Sequence, residues 1–172
     1  MTISNKTLYS QALAEALTEE SKQRIKERAV DYFLGVSLWE MKLGLFLSFL
    51  SGDFSKTNVQ SDCEKYGGLT FFAKMFIERI GDFVTEFGKS YGDLSPKQSP
   101  AEKQASEVCL PVTFAESLLF YTRSFFGLKS FSECENITMA EILLARKETY
   151  NDVMFKKRFS EIEMQKIKSK RK

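Results

Sequence analysis

TMAEILLARKETYNDVMFKKRFSEIEMQKIKSKRK, residues 138–172, decides how the rest of the chain is read. Its spacing predicts one long helix with two apolar faces. On a 3.6-residue wheel Met139, Ile142, Leu143, Tyr150, Val153 and Met154 share one side. Phe155, Phe159 and Ile162 lie nearly opposite, at i, i+4 and i+7. A straight helix packed on a single core has no use for the second patch. Either the helix bends near Asn151 to Met154, or Phe155, Phe159 and Ile162 meet a partner. The i, i+4, i+7 spacing is the one used by helices that anchor in grooves. Lys156, Lys157 and Arg158 sit among these anchors, and from Lys156 to Lys172 there are eight Lys/Arg against two Glu. That charge suits an acidic protein surface. The expectation is therefore a partner-binding patch made of Phe155, Phe159, Ile162, Lys156, Lys157 and Arg158.

Working outward, the chain of 172 residues is 43% apolar and 28% charged, enough to bury a real core and too apolar for global disorder. Sixteen phenylalanines supply bulk, and three prolines leave room for long helices. The formal net charge of +2 argues against a dedicated nucleic-acid binder. The most hydrophobic window, Tyr32 to Leu50, carries Glu40 and Lys42 near its middle. A charged pair at that depth is costly in a bilayer, so the window reads as a helix end, a cap and a buried helix. The polar, amphipathic start MTISNKTLYSQALAEAL does not look like a secretory signal. Three widely spaced cysteines, Cys63, Cys109 and Cys134, cannot all pair and are expected as free thiols in a reducing cytoplasm.

Capping signals are the strongest local feature. S/T-x-x-E occurs at Ser37/Glu40, Ser61/Glu64, Ser99/Glu102, Thr113/Glu116, Ser130/Glu133, Ser132/Glu135, Thr138/Glu141 and Ser160/Glu163. A true cap of this kind satisfies two orphan N–H groups at a helix start. VSLWEM (36–41) and ITMAEI (137–142) are near-copies, each with an apolar residue on both sides of the box. With these starts the chain reads as all-α, a compact bundle of about six helices plus the long terminal one. Helices are expected over 5–17, 19–34, 38–50, 70–87, from Ser99 to Pro111, and 114–126. The 38–50 helix is apolar on nearly every side and belongs at the centre of the core. Phe72, Phe76, Ile80, Phe83 and Phe87 form the buried stripe of the 70–87 helix. GKSYGDLSPKQSP (88–100) is rich in breakers and is expected as a flexible loop. Residues 1–135 are thus read as a helical core domain and 136–172 as the long helix with its basic tail.

Catalytic signatures do not emerge. There is no histidine, which removes His-dependent triads and His-containing metal sites. No GxSxG, GxGxxG or GK[ST] pattern occurs. Carboxylates at Glu15, Glu19 and Glu20, or at Glu133 and Glu135, remain as a metal-dependent alternative, although acids at helix starts follow from capping and the dipole alone. No cofactor is expected.

The end of the chain resembles the small tail assembly chaperone type of accessory protein of tailed bacteriophages and prophages. The residues that carry the likeness are Thr138, Met139, Glu141, Ala145 and Tyr150, leading into FKKRFSEIEMQ, with VSLWEMKLGLFLSFLSGDFS similar in flavour. The resemblance covers the last third and brings no catalytic or binding residues with it. It implies a non-enzymatic role in a bacterial host's cytoplasm, shielding or ordering a partner such as a phage tail protein during virion assembly. A structural subunit of a virion or other homo-oligomeric particle is the alternative reading.

Overall fold

The computed structural model describes residues 18–170, and within them the chain is all-α. Eight helices follow one another: α1 (Glu19–Leu34), α2 (Leu43–Leu50), α3 (Val59–Tyr66), α4 (Phe71–Asp93), α5 (Pro100–Ser106), α6 (Phe114–Phe125), α7 (Phe131–Cys134) and α8 (Met139–Lys170). No helix among the described residues is long and apolar enough to cross a membrane. The helix expected over 5–17 lies outside the described residues.

The capping code accounts for most of the starts. Thr18 caps α1 by accepting from the Ser21 N–H at 3.2 Å. Ser99 and Thr113 form full capping boxes with Glu102 and Glu116. Ser130 caps the short α7. Gly35 ends α1 at φ 70°, the left-handed conformation that a Cβ disfavours. Ser61/Glu64 and Ser160/Glu163 fall inside helices and cap nothing.

Contacts divide the chain into two compact units, Met1–Glu86 and Phe87–Lys172. In the first, Ala29, Val30 and Phe33 of α1, Phe46 and Phe49 of α2, and Phe76, Ile80 and Phe83 of α4 are buried. Their rings meet edge-on or tilted: Phe33–Phe76 at 5.2 Å, Phe49–Phe76 at 5.9 Å and Phe46–Phe83 at 6.1 Å between centroids. These offset geometries suit the ring quadrupoles. Ion pairs strap α1 to α4, with Lys26 2.8 Å from Asp82 and Arg79 2.8 Å from Glu27. The hydrogen bond to Asp82 raises the Lys26 pKa above its ordinary value.

The helix expected over 38–50 is broken. Ser37 and Glu40 do exchange their capping hydrogen bonds, but they close a single turn. Lys42 is then extended (φ −75°, ψ 147°) and α2 begins afresh at Leu43. The reason is burial. Met41 and Leu43 are 1% and 0% exposed, and residues two apart on a continuous helix point nearly opposite ways. The break lets both face the same core. Within α2, Leu45 is only half-buried and Phe46 is the most deeply buried ring.

In the second unit Phe87, Tyr91, Leu118, Thr122, Cys134, Met139, Ile142 and Ala145 are buried. α4 stays helical through Gly88 to Asp93, where a loop was expected to begin. Phe87 and Tyr91 continue its apolar stripe and hold that last stretch, so the glycines do not end it. α5 stops at Ser106, short of the expected Pro111. It has no buried residue to propagate it.

Candidate interaction surface

α8 opens with a box like those of α5 and α6. The Thr138 N–H and hydroxyl both donate to Glu141 Oε2 at 2.8 Å, and the Glu141 N–H returns to Thr138 Oγ1 at 3.3 Å. The backbone hydrogen bond from Thr138, then its hydroxyl, holds the Glu141 pKa below the ordinary carboxylate value. Met139, Ile142 and Ala145 then face the core.

Next along the helix, Arg146 lies against two tyrosines whose rings meet edge-on, 5.8 Å apart. Its guanidinium lies 4.7 Å from the Tyr91 ring and 5.0 Å from the Tyr121 ring. Nη2 donates to Ser95 Oγ at 2.6 Å, which ties the segment after α4 to α8. Nε is buried without a hydrogen-bond partner among the described residues. Its cost is offset by the two ring faces, since a desolvated cation–π contact is worth about 2 kcal/mol. Tyr121 and Thr149 share a hydroxyl hydrogen bond of 2.8 Å. Burial pushes the Tyr91 and Tyr121 pKa values up.

Beyond Tyr150 the helix continues without interruption, and every residue from Asn151 to Ser169 is exposed. Phe155 is 69%, Phe159 54% and Ile162 37% exposed. The two phenyl rings stack on each other along the helix, 6.2 Å apart and 21° from parallel. Lys156, Lys157 and Arg158 are also exposed. Lys156 pairs with Asp152 at 3.3 Å and Arg158 with Glu161 at 3.2 Å. Solvated pairs of this kind contribute little to stability. All six residues named from the sequence therefore lie on one stretch of exposed helix.

The wheel missed where coverage ends. Val153 and Met154 share a side with Ile142, yet both are exposed. Met164 and Ile167 add to the same exposed strip. A second exposed apolar run went unread: Val108, Leu110 and Val112 alternate along the segment before α6, where every residue from Ser95 to Phe114 is exposed. The period-two spacing around Pro111 was its only sequence signal.

Groups for covalent chemistry are sparse. Cys63, Cys109 and Cys134 are free thiols, and burial raises the pKa of Cys134, which favours the unreactive protonated form. Among the described residues no three His, Cys, Asp or Glu side chains come together to hold a metal ion. Fold and surface define an all-α protein with a solvated, apolar-studded terminal helix. Comparison with protein-family models, curated proteins and solved structures finds no match to this chain.

Proposed function

We propose that the chain is a non-enzymatic interaction and assembly protein that binds a partner protein through the second half of α8. The observation that carries this reading is the solvation of Phe155, Phe159 and Ile162 on a stretch of helix that no core among the described residues covers. Three large apolar side chains on a solvated helix are hydrophobic cost without folding gain, and a partner groove would repay that cost. Lys156, Lys157 and Arg158 at the rim would speed encounter with an acidic surface and make it salt-dependent. The likeness of the chain's end to tail assembly chaperones suggests a phage tail protein as partner and a bacterial cytoplasm as the setting. The exposed run of Val108, Leu110 and Val112 favours a second reading, a particle subunit that makes more than one apolar contact.

Phe155→Asp combined with Phe159→Asp tests the proposal. The double variant should keep its helical circular dichroism and melting curve while oligomerisation or partner capture is lost. Unfolding of the variant would mean that the patch belongs to the core, and the proposal would fail.

A further inference from the structure

One strip of α8 changes character along its length. Glu148, Asp152, Phe155, Phe159, Ile162 and Lys166 follow at alternating steps of four and three, the heptad spacing that keeps residues on one seam. All six are exposed. The strip is acidic at its start, apolar in the middle and basic at its end. Such an order is its own complement when reversed. From these positions we infer that the partner of this strip is a second copy of the chain, laid antiparallel about a two-fold axis near Phe159.

In that arrangement Phe155, Phe159 and Ile162 of one copy meet the same residues of the other. Asp152 of each copy lies towards Lys166 of its partner, so the charge pair occurs twice. An isologous two-fold contact requires this reciprocity. A parallel pair would set Asp152 beside Asp152 and Lys166 beside Lys166, like charges at both ends. A second exposed strip of the helix runs Val153, Lys157, Ser160, Met164 and Ile167. It has no acidic end, so it offers no such self-complement. Asp152 already pairs with Lys156, but both side chains are well solvated (70% and 76% exposed) and can exchange partners. The exposed half of the helix is about 30 Å long at 1.5 Å per residue. Two such helices make an interface at the small end of the specific range, so the dimer should form at micromolar to tens of micromolar concentration.

The inference rests on α8 being an interaction surface and adds the identity of the partner. Sedimentation equilibrium of the full chain up to ~500 µM at low salt tests it. Wild type should show a monomer–dimer equilibrium. Asp152→Lys and Lys166→Asp should each weaken it by about ten-fold, because each turns two attractions into two repulsions. The two changes together should restore it to within about three-fold, since the reversed pairs attract again. That rescue is independent of net charge, which the double variant shares with wild type. A dimer indifferent to the single substitutions, or one not rescued by the double, overturns the antiparallel assignment. A wild-type chain that stays monomeric throughout overturns self-association. The interaction surface itself then stands or falls separately, on whether Phe155→Asp/Phe159→Asp keeps its melting curve.

Discussion

Thr138 and Glu141 show how one pair of side chains fixes where the long helix begins. Each satisfies backbone N–H groups that the helix cannot. Thr138→Ala should therefore cost about 1 kcal/mol, read as a lower midpoint in a denaturant titration. The same carboxylate gives a pH dependence. Glu141 has its folded pKa below the ordinary 4.5, so the unfolded chain binds the proton more readily. Its stabilising contribution is complete above about pH 4.5 and is lost as the pH falls through the folded pKa. Glu102 and Glu116 are lowered for the same reason and act in the same direction. Melting temperature should be flat from pH 7 to 5 and fall below that, and Glu141→Gln should flatten part of the fall. These caps were legible in the sequence because capping is local. Four residues contain both the donors and the acceptors.

At the scale of elements, legibility depended on whether the cause was local. α4 could be read from its stripe: Phe76, Ile80, Phe83 and Phe87 are buried, while Phe72, at the start of the helix, is only half-buried. The break between Met41 and Leu43 could not. A wheel registers which residues are apolar, whereas the break exists because two residues on opposite sides must reach one core. This places the energetic centre at Phe46, which is 0% exposed. Phe46→Ala should cost about 3–5 kcal/mol, and Leu45→Ala clearly less because that side chain already meets water. Equal losses in the same titration would mean that Leu45 is as deeply buried as Phe46. The extent of α5 was also misread, because Ser99 and Pro111 mark where a helix can start and must stop. They do not say whether any packing face sustains it in between.

For the whole molecule, α8 falls into two unlike parts. Its first third is bound into the second unit by Met139, Ile142, Ala145 and the contacts of Arg146 with the Tyr91 and Tyr121 rings. Its remainder from Asn151 is solvated on all sides. The opposed apolar faces were visible in the sequence, and so were Phe155, Phe159 and Ile162 as candidate anchors. What the sequence withheld was the point at which the covered face stops being covered, because nothing in the helical period changes there. Under the proposed function, residues 151–169 form a solvated helix reserved for a partner. Amide hydrogen exchange on the intact chain at high dilution tests this most directly. The claim predicts that amides of 151–169 exchange at least about ten-fold faster than those of 142–149, and that they gain protection as the interface is occupied. If 151–169 are instead as protected as 142–149 at every dilution, the helix is part of the core and the claim is contradicted.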